Sequence, residues 1–155
     1  MTIEEITEQI VEEFSVFDEW LDKYEYLIET GRQLPAIDEE AKTTDNLIEG
    51  CQSRVWLDCK EKDGKLWFSA DSDAVITKGI ISLLIRVFDG QKPEDIVAAD
   101  LSFIDAIGLR DNLSPTRANG LHSMITKIKA YALAFLQKEE DEHTRLMFFD
   151  MKDVE

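Results

Sequence analysis

One hairpin signal constrains the fold of this chain more than any other feature. The stretch "SRVWLDCKEKDGKLWFSA" begins with alternating side chains, as in a half-buried strand, and returns after Asp63-Gly64, a strong two-residue turn. Folding the chain about this turn places Cys59 opposite Phe68. It also places Leu57 opposite Ala70, on the same apolar face. The sequence therefore predicts an antiparallel hairpin with one apolar face.

Most of the remaining chain has the apolar spacing of helices. Two amphipathic stretches precede the hairpin, and Gly31 is predicted to end the second. The pattern from Asp73 to Phe88 is apolar nearly all round and predicts a buried helix, while Ser114-Pro115 is predicted to open a long final helix. Gly79 and Gly120 fall inside these helices, so close packing is their expected role. With a short strand expected at "NLI", the pattern predicts an α+β fold, a small antiparallel sheet of about three strands covered by several helices.

Length and charge restrict the domain count and the partners. The chain has 155 residues, the size of one domain, and a formal net charge of −16. This charge repels phosphates and anionic lipid headgroups, so neither nucleic acid nor a membrane is an expected partner. We expect residues 1–138 to form a single domain and residues 139–155 to form an acidic, flexible C-terminal extension.

The expected compartment follows from targeting signals. Glu4 and Glu5 stand where a signal peptide would carry basic residues. The most apolar run, "GIISLLI", is far shorter than the ~20 residues of a transmembrane helix. We therefore expect the protein to be cytoplasmic, where thiols stay reduced.

The two cysteines, Cys51 and Cys59, lie only eight positions apart. A reducing compartment disfavours a disulfide between them, and two thiols along one strand cannot bond without breaking it. A metal site is disfavoured because the chain offers only two cysteines and two histidines and lacks a CxxC pair. No metal and no cofactor is therefore expected. Cys59 is predicted to be a small core residue, and Cys51 a single exposed thiol on the loop behind Gly50.

The hairpin register also sets the surroundings of Cys51. It places the Cys51 end of the first strand beside the start of the buried helix, where Asp71, Ser72 and Asp73 compete as N-cap residues. The positive field of a helix N-terminus favours a thiolate, whereas two nearby aspartates oppose it. The sequence leaves the direction of any shift in the pKa of Cys51 open.

Four segments, in the same order, resemble the SufE family of sulfur-acceptor proteins and cover about residues 10 to 137. They are "WLDKYEYLIETGRQLP" (20–35), "GCQSRVW" (50–56), "SDAVITKG" (72–79) and "LSPTRANGL" (113–121). The resemblance implies an α+β fold shared with IscU-type scaffolds. It also implies that the protein accepts sulfane sulfur from a SufS-type cysteine desulfurase and stimulates that enzyme. The sulfur would then pass to iron–sulfur cluster assembly on a SufBCD-type scaffold complex.

The resemblance assigns the site residues as well. The acceptor cysteine of the family falls on Cys51, where it would carry a persulfide. The helix-start motif falls on Ser72, Asp73 and Ala74, and the arginine of the last helix on Arg117. The second cysteine is not a motif position, and the tail from about residue 138 extends past the family pattern.

The residues around the acceptor cysteine have expected supporting roles. Gly50 supplies backbone freedom to the loop, while Gln52 and Ser53 either hydrogen-bond the persulfide or are solvated. Asp73 is interpreted as an N-cap residue in preference to a catalytic acid. Arg117 is either an ion partner, for the donor enzyme or for a loop carboxylate, or a plain surface arginine.

Two other classes of protein remain open. A cysteine hydrolase or thiol oxidoreductase would use Cys51, but His122 is the only plausible base and falls on a predicted helix surface. A binding module would regulate an enzyme through its acidic surface, and Cys51 would then be dispensable. The favoured prediction is an accessory protein of sulfur transfer and not an enzyme in its own right.

Overall fold

The computed structural model describes the backbone of residues 1–153 and the side chains of residues 1–147. The helices are α1 (Ile3–Ser15), α2 (Trp20–Arg32), α3 (Val75–Phe88), α4 (Pro93–Ala98), α5 (Phe103–Ala106) and α6 (Pro115–Asp153). The strands are β1 (Val55–Lys62) and β2 (Lys65–Ser72), and short 3-10 helices lie at Glu39–Ala41 and Arg110–Asn112. The α+β class and the small antiparallel sheet predicted from the sequence are both confirmed.

The hairpin forms with the predicted register. β1 and β2 are antiparallel, and both predicted pairs are present, Cys59 opposite Phe68 among them. The turn residues Asp63 and Gly64 have φ angles of 57° and 77°, the left-handed pair that a type I′ turn requires. Turn type and side-chain alternation together therefore determine which residues face each other.

The predicted third strand is reduced to a single bridge. Leu47 pairs with Trp56 alone, so the sheet has two strands within residues 1–153. Backbone hydrogen bonds of 2.8 and 2.9 Å flank this bridge and join residues 48 and 46 to β1. The pairing ends because the chain turns away at Gly50, whose φ of 90° lies in the left-handed region.

The prediction that Gly31 ends α2 is wrong. The helix continues to Arg32, and Gly31 is buried against α3. A Cβ atom on Gly31 would lie 2.8 Å from the backbone nitrogen of Gly79, and one on Gly79 would lie 2.5 Å from the carbonyl oxygen of Leu27. The two glycines therefore mark the point where two helix backbones meet, which is the close-packing role expected of Gly79.

α3 is the central element of the core, and its predicted burial is confirmed. It packs against α1, α2, β2 and α6. The side chains of Ile81, Val87 and Phe88 have no exposed surface. α6 adds its own buried row, formed by Leu121, Met124, Ile128 and Ala132. This packing brings the first turns of α6 close to the start of α3 and to the loop that precedes β1.

α6 continues past the predicted boundary at residue 138 without a break, and residues 137–147 are exposed. The predicted extension, residues 139–155, is helical through Asp153, and its last two residues lie outside the described part of the chain. The division between a domain of residues 1–138 and an extension stays a prediction. Within residues 1–153, none of the helices combines the length and the apolar character needed to cross a bilayer.

Candidate functional site

A cleft of about 100 Å³ opens beside Cys51, between the loop before β1, the start of α3 and the first turns of α6. Four residues predicted for the site line it: Cys51, Gln52, Ser53 and Arg117. The other lining residues belong to the two helices or precede α3 directly, namely Ala74, Thr77, Ile80, Thr116, Gly120 and Met124. The fold thus brings the loop and the predicted arginine of the last helix to one place.

Cys51 is half-buried in this cleft, and not the exposed loop thiol expected from the sequence. Its S–H group donates a weak hydrogen bond to the carbonyl oxygen of Gly120, with an S···O distance of 3.6 Å. A Cβ atom on Gly120 would lie 3.4 Å from the sulfur. The neighbour of this glycine is therefore the Cys51 thiol at an ordinary contact distance, whereas the expected reason for the glycine was close packing against another helix.

Burial raises the pKa of the Cys51 thiol above its ordinary value. The sequence left this direction open, and in the structure the loss of contact with water decides it. Because the thiolate is the nucleophilic form of a cysteine, burial in the cleft makes this thiol less nucleophilic at neutral pH than a fully exposed one. Exposure to water would remove the burial that raises its pKa.

The N-cap prediction for α3 is wrong. The N-cap residue is Ala74, and no side chain caps the helix. Asp73 instead accepts a hydrogen bond from the backbone N–H of Arg54 at 3.0 Å. Ser72 Oγ donates to the carbonyl oxygen of Arg54 at 2.8 Å, and Asp71 is held by two lysine ammonium groups. The loop lies over the end of β2, so these side chains bind their neighbours, and Asp73 fixes the point where the loop joins β1.

The geometry of the loop requires a glycine at position 50. The φ of Gly50 is 90°, and a Cβ atom there would lie 2.5 Å from Oγ of Ser123 in α6. A side chain would therefore strain the backbone and push the loop away from the helix. Gln52 is exposed and Ser53 is half-buried at the rim of the cleft.

Arg117 lies in the first turn of α6, where its backbone N–H donates to Oγ of Ser114 at 3.3 Å. Its side chain is exposed at the cleft. In the described part of the chain, no carboxylate lies within ion-pair distance of its guanidinium. His122 is exposed on α6, as predicted, and does not line the cleft. Among the side chains that the structure describes, those of residues 1–147, no three of His, Cys, Asp or Glu converge as metal ligands.

Sequence reasoning missed Ser123 and Thr77, which reach the site from α6 and α3. Nothing in the sequence marks Thr77. The structure buries it to 8% exposure, but in the sequence it looks like any other polar residue of a helix. For Ser123 one signal existed. Gly120 inside a helix marks the face that a neighbour approaches, and Ser123 lies three positions further along that face.

The sequence also matches a family model, the SufE Fe–S metabolism associated domain, over residues 8–132. The chain belongs to the SufE family. The resemblance predicted over about residues 10 to 137 is thereby confirmed across nearly the same range. As a SufE protein, it has a role in iron–sulfur metabolism.

Similar proteins occur in several bacteria. An uncharacterized SufE-like protein of Rhizobium meliloti is 40% identical over 130 residues, which make up 81% of this chain and 93% of that protein. A SufE-like protein of Synechocystis sp. is 37% identical over 127 residues, 82% of this chain and 80% of that protein. The solution structure of a hypothetical protein from Thermus thermophilus matches with a TM-score of 0.71 at 20% identity, covering 85% of this chain and 96% of that one. At this identity the structural match shows the fold alone.

Cys59, the second thiol of this SufE protein, lies on β1 and packs against the core, half-buried. Burial, and then the carboxylates of Asp58 and Asp89, raises the pKa of its thiol to about 12. The predicted position on the apolar face is confirmed, although the side chain is not fully enclosed. A thiol that stays protonated at neutral pH is a poor nucleophile, so Cys59 is less nucleophilic than an ordinary exposed cysteine.

We expect the Cys59→Ala variant to lose about 1 kcal/mol of unfolding free energy, because alanine leaves a small void opposite Phe68. Urea unfolding followed by circular dichroism would give a lower midpoint with an unchanged slope. The reactivity of Cys51 should not change. A variant that folds like the wild type but no longer accepts sulfur would instead identify Cys59 as a relay thiol.

Proposed function

We propose that this SufE protein accepts sulfane sulfur from a SufS-type cysteine desulfurase as a persulfide on Cys51. By removing the sulfur it stimulates the desulfurase, and it then delivers the sulfur to a SufBCD-type scaffold complex for iron–sulfur cluster assembly. The observation that carries the proposal is the half-buried Cys51 thiol beside a cleft with space for further atoms.

The proposed transfer exchanges one sulfur–sulfur bond for another. The Cys51 thiolate attacks the outer sulfur of a cysteine persulfide on the donor enzyme. The S–S bond of the donor breaks, and the donor cysteine leaves as a thiolate. Cys51 now holds the outer sulfur in a new S–S bond, so no external oxidant or reductant is needed. The proton lost by Cys51 passes to solvent or to the leaving thiolate.

The size and lining of the cleft suit a persulfide. Its volume of about 100 Å³ exceeds the roughly 10–15 Å³ that one water molecule needs, so a second sulfur atom fits beside the first. Ile80 and Met124 contribute apolar surface, and Thr77 contributes a hydroxyl group. A persulfide resting there would be held away from bulk water until the loop carries it to the next partner.

The supporting residues have distinct proposed roles. Gly50 lets the loop turn tightly against α6, and Asp73 holds the loop at β1, which is a structural role and not proton transfer. Gln52 and Ser53 contact the persulfide from the rim of the cleft. Arg117, exposed beside them, pairs with an acidic group of the desulfurase.

Two other functions have weaker support. A thiol-dependent enzyme needs a base near Cys51, and His122 does not line the cleft. An acidic regulatory module unrelated to sulfur transfer would give no role to the half-buried Cys51 thiol or to the cleft beside it. We therefore propose an accessory protein of the cytoplasm that is not itself an enzyme and has no nucleic-acid or membrane partner.

Intact mass spectrometry tests the proposed function. After incubation with a SufS-type desulfurase and cysteine, the protein should gain the mass of one sulfur atom, mapped to the peptide that contains Cys51. A thiol reductant should remove the gain. No gain, with a desulfurase that is active on its own, would contradict the proposal.

We expect the affinity for the desulfurase to fall as the salt concentration rises. The chain carries a net charge of −16, and a partner that meets it through charge complementarity loses attraction as the Debye length shrinks to about 8 Å at physiological ionic strength. Calorimetric titration in dilute and in physiological buffer measures the two Kd values. Equal values would mean that the acidic surface does not guide this encounter.

A further inference from the structure

One row of residues on α6 runs along the acceptor segment, which we define as residues 45–54. The base of the segment is residues 45 and 46, and its tip is residues 49–53. Gly120, Ser123, Lys127 and Tyr131 form the row, and their spacing of three or four residues places them on one helix face. The first two touch the tip of the segment, one through the thiol hydrogen bond and one against the neighbouring glycine. The last two bind its base.

Hydrogen bonds hold the base of the acceptor segment. The Tyr131 hydroxyl lies 2.9 Å from Oδ1 of Asn46 and 3.0 Å from the carbonyl oxygen of Leu57. It therefore ties the segment to β1. Lys127 Nζ donates to the carbonyl oxygen of Asp45 at 3.2 Å and lies 5.2 Å from the centre of the Tyr131 ring. The two α6 side chains thus act on adjacent residues of the base.

Asn46 is the residue through which the base is fixed. Its Nδ2 donates to the carbonyl oxygen of Ala41 at 2.8 Å, and its own carbonyl oxygen accepts from the Leu57 N–H at 2.9 Å. With Tyr131 on its Oδ1, Asn46 joins the preceding stretch, β1 and α6. Removing the hydroxyl would leave the amide oxygen of this half-buried residue without that donor.

The tip of the acceptor segment is held more weakly than its two ends. At the far end, Asp73 fixes Arg54. Ile48 still belongs to the fixed part of the segment, because its backbone N–H donates to the carbonyl oxygen of Val55 at 2.8 Å and its side chain is buried. Between Ile48 and Arg54, the side chains of residues 49–53 make a single hydrogen bond within the described part of the chain, the weak S–H···O contact of Cys51. A segment with two fixed ends and a loosely held middle opens at its tip.

We propose that Tyr131 and Lys127 are positioning residues for Cys51. By fixing the base of the acceptor segment to α6, they set how often the thiol leaves the cleft and which path it takes. Neither side chain touches the sulfur. The inference deepens the proposed sulfur transfer and rests on it for its purpose, but the movement of the thiol can be measured without a partner.

The Tyr131→Phe variant tests the proposal, because it keeps the ring and removes only the hydroxyl. Alkylation by iodoacetamide, followed at each cysteine by peptide mass spectrometry, reports how often that thiol meets water. We expect Cys51 to react about fivefold faster at neutral pH, the effect of one lost hydrogen bond on the open population. The pH of half-maximal rate should also fall, because the open thiol escapes the burial that raises its pKa. Arg117, the charged side chain that lines the cleft, stays in place.

Tyr24→Phe is the matched control. It also loses one hydroxyl, which donates to the carbonyl oxygen of Asn112 at 2.6 Å, without a hydrogen bond to the acceptor segment. Its Cys51 should react at the wild-type rate. Cys59 is the internal control, since a general loosening of the fold would raise the alkylation of this half-buried thiol together with that of Cys51. No acceleration of Cys51 beyond Tyr24→Phe, or equal acceleration of both cysteines in Tyr131→Phe, would overturn the proposal.

Lys127→Met keeps the apolar stem of the side chain and removes the bond to Asp45. We expect a smaller acceleration in the same direction, and its absence would remove Lys127 from the proposal. Sulfur acceptance by the wild type is measured separately. If sulfur is not accepted while Tyr131→Phe still accelerates Cys51, the positioning role stands and the proposed function fails. If sulfur is accepted without any acceleration, the positioning role alone fails.

Discussion

The Cys51→Ser variant is expected to gain no sulfur from a cysteine desulfurase and to lose all stimulation of that enzyme. A serine hydroxyl is not ionised at neutral pH and cannot form the S–S bond in which the transferred sulfur is held. The fold should survive, because serine is close to cysteine in size and its hydroxyl can still donate to the Gly120 carbonyl oxygen. Intact mass and the rate of cysteine turnover, with and without the variant, measure both effects.

Two controls separate the loss of the Cys51 thiol from other effects of a substitution. Cys59→Ala should accept sulfur as the wild type does, because the thiol that it removes stays protonated on β1 with a pKa of about 12. Thermal unfolding of Cys51→Ser should match the wild type, which separates lost chemistry from lost structure. Sulfur gained by Cys51→Ser to the wild-type extent would show that Cys51 is not the acceptor.

Local signals explain what the sequence predicts well. The hairpin register depends on one turn and on two adjacent strands, so Asp63-Gly64 and the side-chain alternation are enough to place Cys59 opposite Phe68. The burial of α3 likewise follows from its own composition. The family motifs add the acceptor assignment of Cys51, which stays a prediction, and they include Arg117, which lines the same cleft.

Contacts between distant parts of the chain explain what the sequence does not predict. Asp73 has a local reason to cap α3, but the backbone of Arg54 lies against its carboxylate and takes the hydrogen bond. The pKa of Cys51 is raised because the thiol is buried against Gly120, which lies 69 residues further along the chain. The bond between Tyr131 and Asn46 spans 85 residues. No periodicity or spacing in the sequence encodes such pairs.

The same reasoning predicts a large loss of stability in the Gly79→Ala variant. Alanine normally favours a helix over glycine by about 1 kcal/mol, so a surface site would gain. At Gly79, however, the added Cβ would lie 2.5 Å from the carbonyl oxygen of Leu27, a backbone atom that cannot rotate away. The two helices must separate to admit it, which loosens the core that α3 shares with α2. We expect a net loss of about 2–3 kcal/mol and a fall in Tm of about 5–10 °C.

Gly120→Ala is the matched control for Gly79→Ala, because it places the same methyl group inside another helix. There the nearest atom to the new Cβ would be the Cys51 sulfur at 3.4 Å, an ordinary contact with a side chain. The helix preference of alanine should therefore prevail, and the Tm of Gly120→Ala should equal or exceed that of the wild type. Calorimetry on both variants measures the difference. If the two variants have the same Tm, the backbones of α2 and α3 do not approach each other as closely as the 2.5 Å distance to Leu27 implies.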